Sequence, residues 1–248
     1  MIGEPITNSH SEAGLNRMRY ALISDIHGNV QALRAVLKAL EDCQIDQYLC
    51  LGDIVGYGAN PNECVHLVRN LTDKTVAGNH DYAAVGLTDI SNFNPHASEA
   101  VRWTARHLSE ENKQYLKALP LWLKIGASNL VHATPQRPEL WDYILSPYDA
   151  LTAFSYFESS ICFVAHSHRP MTFIQGPGGL QWDFSDRIQI LSDSRYIINT
   201  GSIGQPRDRD PRACFALLDT ETSEVRIQRV EYDISEAQAA IRAAGLPE

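Results

Sequence analysis

Aspartate, asparagine and histidine recur in this chain in one local setting, directly after a short apolar run. Asp25 and His27 follow Ala21-Leu22-Ile23, Asp53 follows Tyr48-Leu49-Cys50-Leu51, and Asn79 and His80 follow Thr75-Val76-Ala77. His132 follows Leu130-Val131, and His166 and His168 follow Cys162-Phe163-Val164. Carboxylate and amide oxygens are hard ligands, neutral imidazoles are borderline, and no thiolate joins them, so the set suits a pair of divalent transition ions. Manganese, iron, zinc, cobalt or nickel would fit; magnesium or calcium alone, which favour oxygen cages, would fit less well. A single histidine at a strand end is ordinarily a satisfied core or loop residue. Here five of the nine histidines fall in these short motifs, leaving His10, His66, His96 and His107 for ordinary roles.

The elements that must position these groups are legible from apolar periodicity. Tyr20 to Ser24 reads as a buried strand, and Asn29 to Leu40 as a helix whose stripe is Val30, Leu33, Val36, Leu37 and Leu40. Tyr48 to Leu51 and Pro61 to Asn70 repeat that unit, with proline suited to a helix start, and Thr75 to Ala77 begins a third. In a sheet flanked by helices, loops leaving one edge of the strands converge on a common crevice, which would bring these distant residues together. A mainly helical insertion is expected at about 82–125, its pattern running from about Ser98 to Ala118, with Ser109, Glu110 and Glu111 as a helix start and Pro120 as the exit. Strand signals then dominate: Leu130 to Val131, Ile161 to Ala165, Arg187 to Leu191, Tyr196 to Ile198, Phe215 to Leu218 and Val225 to Tyr232. Asp233 to Ala244 reads as a closing helix with Gly245 as its stop. Residues 1–18 read as a loose polar tail, and 19–248 as a single domain.

Composition narrows the class. The 248 residues, 44% hydrophobic and 21% charged, suit one globular domain with a substantial core. A net charge of -9 gives no general attraction to nucleic acid or anionic membrane, so nucleic acid is not the expected partner. Five singly scattered cysteines read as reduced structural thiols, and the polar first segment lacks the apolar stretch of a signal peptide or anchor, so a cytoplasmic location is the expectation. Apolar strand faces serve a core or a partner subunit equally well, so the pattern fixes no oligomeric state.

The stretches Asp25-Ile26-His27-Gly28-Asn29, Gly52-Asp53, Gly78-Asn79-His80-Asp81, His132 and Ala165-His166-Ser167-His168 stand in the order of the motifs of the calcineurin-like metallophosphoesterases. Each is weak alone; all five in order identify the chain by resemblance as a member of that family. The resemblance implies an α/β fold, a four-layer α-β-β-α sandwich of two mixed β-sheets flanked by helices. It implies that Asp25, His27 and His168 hold one metal, that Asn79, His132 and His166 hold a second, and that Asp53 bridges them. Two ions about 3.5 to 4 Å apart would hold a hydroxide between them for attack on a phosphate ester. His80 would serve the leaving group, oriented by Asp81, and the substrate would be a phosphodiester or phosphomonoester of a small molecule or nucleotide.

Two departures from the family pattern refine this. Ala165 stands where the family usually has glycine, at the cost of a methyl group and some backbone freedom. The phosphate-clamping arginines of the protein Ser/Thr phosphatases are absent from Gly52-Asp53-Ile54-Val55-Gly56-Tyr57-Gly58 and from Ala77-Gly78-Asn79-His80. That makes a protein phosphatase, or a nuclease, the second reading; a scaffold without turnover is third, since every expected ligand and His80 are retained. Three residues stay open between site and structure. Arg207, in Arg207-Asp208-Arg209-Asp210-Pro211-Arg212, would either grip a phosphate or sit in a solvated loop of compensating charges. His96 would reach substrate or serve a turn or helix cap. Tyr57 would stack on a nucleobase or occupy a turn that needs Gly56 and Gly58.

Overall fold

A computed structural model describes residues 17–247. The expected loose tail therefore lies outside the described residues up to position 16. Its last two residues are not loose: the Met18 N–H donates to the Thr220 hydroxyl at 2.9 Å, the Met18 carbonyl accepts from the Thr220 N–H at 3.0 Å, and Arg17 pairs with Glu221 at 2.9 Å.

In chain order the elements are β1 (Arg19–Ile23), α1 (Val30–Leu40), β2 (Gln47–Cys50), α2 (Pro61–Leu71), α3 (Asn79–Ala84), α4 (Pro95–His107), α5 (Glu110–Lys117), β3 (Trp122–Ile125) and β4 (Ser128–Val131). There follow α6 (Pro147–Ala153), β5 (Ile161–Val164), β6 (Met171–Gly176), β7 (Gly179–Asp183), β8 (Arg187–Gln189), β9 (Arg195–Asn199), β10 (Ala213–Asp219), β11 (Glu224–Val230) and α7 (Ile234–Ala243). One sheet runs β2-β1-β10-β11-β8 and the other β3-β4-β5-β9-β6-β7, and both are mixed.

Alternation along the strands explains the layers. Ala21, Ile23, Ala213 and Phe215 face outward from the first sheet against α1 and α2, packing on Val30, Leu33, Val36 and Val65. Their neighbours Leu22, Cys214, Ala216 and Leu218 face the opposite way and meet Phe163, Tyr196 and Ile198 of the second sheet. Cys162, Val164 and Ile197 point to that sheet's far side, against Ala150 and Ala153 of α6. The result is the expected order of layers, helices, sheet, sheet, helix.

Local chemistry sets the boundaries. Asn29 caps α1 by accepting from the Ala32 N–H at 3.0 Å, so the helix begins one residue later than the apolar pattern suggests. Residues 75–77 never become a full strand. They make an isolated bridge to Cys50, and Gly78 then opens α3. The helical run from Ser98 to Ala118 divides in two where Leu108 turns extended and Ser109 caps α5. The insertion expected to reach 125 ends earlier, because Trp122 to Ile125 pair with β4 as a strand of the second sheet. The hairpin of β6 and β7 escaped the sequence pattern because β7 is an edge strand, mostly exposed, with no clean apolar alternation. Among the described residues no helix is long and apolar enough to cross a membrane.

Candidate metal centre

The strand ends that carry the motifs belong to parallel neighbours: β1 beside β2, and β4 beside β5 beside β9. Their following loops leave from one edge and are stitched together by backbone bonds. The Asp25, His27 and Gly28 N–H groups donate to the carbonyls of Gly52, Asp53 and Ile54 at 2.9–3.0 Å, and the Ala165 N–H donates to His132 at 2.8 Å. Five of the residues expected as ligands, Asp25, His27, Asp53, His166 and His168, have φ between 48° and 65°. For residues with a Cβ this left-handed conformation costs on the order of 1–2 kcal/mol each, and it persists only where surrounding contacts enforce it. At the turn Ala165 to His168 the enforcing group is Asn199, whose side-chain amide donates to the Ala165 carbonyl at 2.5 Å and to the Ser167 hydroxyl at 3.0 Å.

These loops bring the side chains to one place. One ligand atom from each of Asp25, His27, Asp53 and His168 lies within 4.8 Å of the others, and the same holds for Asp53, His132 and His166. Asp53 belongs to both groups. Asn79, in the first turn of α3, presents a buried Oδ1 with no hydrogen-bond partner.

The imidazoles are oriented from behind. Nδ1 of His27, His132 and His168 faces the backbone carbonyls of Val55 (3.2 Å), Leu51 (2.7 Å) and Gln205 (2.6 Å). An Nδ1–H donated to a carbonyl leaves Nε2 as the lone-pair nitrogen. The Nε2 atoms of His27 and His168 then face each other at 3.1 Å, two acceptors that a shared cation reconciles. Both Asp25 oxygens, Asp53 Oδ2 and His132 Nε2 are likewise buried without a partner. Buried polar atoms are ordinarily satisfied, so a convergent set of unsatisfied lone pairs is the arrangement that divalent cations complete.

Electrostatics agrees. Burial lifts the Asp25 carboxyl to about 7. It drives His27 and His166 well below the usual imidazole range, His80 to about 4 and His168 to about 3, which keeps these rings neutral as ligation requires. His132 goes the other way: burial lowers it, but the Asp53 and Asp25 carboxylates and the Leu51 carbonyl together outweigh burial and raise it to about 9.

His80 lies at the rim of this cluster. Its backbone N–H donates to Asp53 Oδ1 at 2.8 Å, while its ring meets the rings of His27, Tyr57 and Phe93 at centroid distances of 4.8, 4.8 and 5.1 Å. The expectation that Asp81 orients the His80 ring needs correction. Asp81 Oδ1 accepts from the Ile54 and Val55 N–H groups and Oδ2 from Gly78, all at 2.9–3.1 Å, whereas His80 Nδ1 has no partner. Asp81 is occupied in pinning the Asp53 loop to the start of α3. Gly56, read above as one of two flexible turn glycines, has a second reason to be glycine. A Cβ there would sit 2.7 Å from His80 Nδ1 and 2.8 Å from His27 Nδ1, on a backbone with φ of 123°.

Tyr57, Arg207 and His96 line one cleft of about 510 Å³ beside the cluster. Tyr57 packs edge-on to His27 at 4.9 Å, and an Arg207 Nη donates to its hydroxyl at 3.3 Å. His96 is exposed in the first turn of α4, behind the Asn94 cap, so it is neither the turn nor the cap residue. Besides Phe93, aromatic neighbours that went unread in the sequence are Tyr143, which stacks on His166 at 4.0 Å, and Trp141, edge-on to His132 at 6.1 Å. Both lie in the irregular stretch between β4 and α6, where no periodicity marks them.

The family description "Calcineurin-like phosphoesterase superfamily domain" matches residues 18–223. An uncharacterized protein of Methanocaldococcus jannaschii is 41% identical over 232 residues, covering 92% of this chain and 93% of its own. The crystal structure of a metallophosphoesterase from Sphaerobacter thermophilus is similar with a TM-score of 0.82 at 41% identity, over 93% of this chain and 95% of that one. A hypothetical protein from Pyrococcus horikoshii gives 0.75 at 25% identity with the same coverage. With most of its length matched, and with buried aspartates and histidines placed to hold metal, the chain belongs to the calcineurin-like phosphoesterase superfamily and is a metallophosphoesterase.

Proposed function

We propose that this protein hydrolyses phosphate esters of small molecules or nucleotides at a binuclear centre of divalent transition metals, manganese foremost. The observation that carries this reading is the convergence of unpartnered Asp25, Asp53 and His132 atoms with the opposed Nε2 atoms of His27 and His168. Asp25, His27 and His168 hold one ion, Asn79, His132 and His166 the other, and Asp53 is shared, since a carboxylate has two oxygens to offer and an imidazole bridges poorly. When bound, such a pair supplies an activated water at neutral pH and neutralises the charge of the phosphate oxygens.

The rest of the chemistry belongs to side chains. His80, ringed by Tyr57 and Phe93, supplies a hydrogen bond from its neutral ring to the leaving oxygen. Tyr57, Arg207 and His96 line the cleft in which the rest of the ester lies, and Arg207 grips phosphate. The start of α4, with Asn94 and His96, and α7, with Gln238, Ile241 and Arg242, form walls of this cleft on a single domain. Five free thiols, four of them buried, support a reducing, cytoplasmic setting.

The test is a substrate panel on the manganese-loaded protein: p-nitrophenyl phosphate, its bis ester, cyclic nucleotides, dinucleoside polyphosphates, a phosphopeptide and single-stranded DNA. Turnover of the small esters and nucleotides is expected. Preference for the phosphopeptide or DNA would install the second reading, and no turnover with any metal would leave the scaffold.

A further inference from the structure

We propose that the cleft beside the metal centre is a subsite for a second phosphoryl group, so that the substrate is a small molecule carrying two phosphoryl groups. One would lie at the aspartate and histidine cluster and the other between Arg207 and Arg242. This rests on the reading above that the cluster hydrolyses phosphate esters, and it narrows that reading to a substrate class.

The argument begins with charge pairing. Of the carboxylates in the run Arg207 to Arg212, Asp208 pairs with Arg229 and Asp210 pairs with Arg212 at 2.7 Å. Both loop acids are thus ion-paired elsewhere, and the side-chain hydrogen bonds of Arg207 go to neutral groups. It donates to Gln205 Oε1 and to the Tyr57 hydroxyl, and its guanidinium lies over the Tyr57 ring at 5.7 Å. Arg242, exposed in the last turn of α7, has no ion pair or hydrogen bond among the described residues. Helix polarity accounts for a cation at that turn, but not for its lining the same cleft as a second guanidinium with no ion pair among the described residues. In a protein of net charge -9, two such cations facing one space of about 510 Å³ form a local positive site, and guanidinium is the side chain best matched to phosphate oxygens.

Position supplies the rest. Tyr57 touches both cluster and cleft, its ring against His27 and His80 and under the Arg207 guanidinium, while the Arg207 N–H donates to the His168 carbonyl at 3.1 Å. The cleft therefore lies next to the cluster, lined by residues that touch it. A substrate with a single phosphoryl group at the cluster would leave Arg242 without a role, and Gln238 on the same helix adds a neutral amide donor to the far wall.

The test is calorimetric titration of the manganese-loaded full chain with α,ω-alkane bisphosphonates of increasing length, each beside the monophosphonate of equal length. At one length the bisphosphonate is expected to bind at least about tenfold more tightly, the scale of a charge-assisted hydrogen bond. Arg242→Gln should abolish that advantage and Arg242→Lys should keep part of it, with Tm confirming that both variants fold. A bisphosphonate that gains nothing at any length, or a gain that survives Arg242→Gln, overturns the proposal. Turnover of p-nitrophenyl esters separates the two claims. Turnover without a bisphosphonate advantage removes only the subsite; an advantage without turnover of any phosphate ester removes only the hydrolytic reading.

Discussion

His132 Nε2 and Asp53 Oδ2 lie 3.3 Å apart, both side chains buried. In the metal-free protein this pair keeps a proton on His132 to about 9, while burial keeps one on Asp25 to about 7. A cation bound between these groups must expel those protons, so metal affinity should rise with pH between about 6 and 9. The slope expected is about tenfold per pH unit for each proton displaced. Titration of manganese at pH 7 in buffers of different ionisation enthalpy measures the release directly. If no proton leaves, His132 is not a ligand in the manner argued.

Asp53 is the residue common to both ligand groups. Asp53→Asn should therefore lower the content of both metals, whereas His166→Ala should deplete one of them. Metal analysis of the purified variants by mass spectrometry distinguishes these patterns, and equal loss in both variants would remove Asp53 from its shared position.

His80 touches the cluster by its ring edge and its backbone N–H without belonging to either ligand group. His80→Ala should retain both metals and lose about 10² to 10⁴-fold in kcat, most severely with a poor leaving group. Full activity of the variant on a simple alkyl phosphate would contradict the assignment.

Asp81 spends both oxygens on three backbone N–H groups. Asp81→Asn replaces one acceptor with a donor facing a donor, so the fold should lose about 1–3 kcal/mol. Denaturant unfolding of the metal-free protein reads this loss. A variant of unchanged stability but reduced rate would restore Asp81 to the orienting role that the structure does not give it.

Gly56 combines a φ of 123° with contact distances under 3 Å from a Cβ to two histidine rings. Gly56→Ala should displace His27 and His80 together, lowering both metal content and rate, and should cost on the order of 1–3 kcal/mol of stability. Gly126→Ala, also at positive φ but with open space around it, serves as the control: strain alone, with metal content preserved.

By itself the sequence determined the chemistry and the strand ends that deliver it. Short apolar runs ahead of Asp25, Asp53, His132 and His166 mark strands whose following loops converge on one crevice; that the neighbours pair in parallel is a finding of the structure. Residue type alone then announced a metal site. What only the tertiary structure decided depends on where backbone groups and distant loops come to rest. The turn carbonyls of Leu51, Val55 and Gln205 choose which imidazole nitrogen is free, and no side-chain pattern encodes a carbonyl's direction. Asp81 was read as a partner for its neighbour His80, yet three N–H groups near it in space compete for its oxygens and win. Arg207 looked compensated by the aspartates beside it until Arg229, from a strand some twenty residues away, and Arg212 took both. Hydrogen bonds and ion pairs act over a few ångströms of space, so neighbours in the chain are only candidates until the fold selects among them.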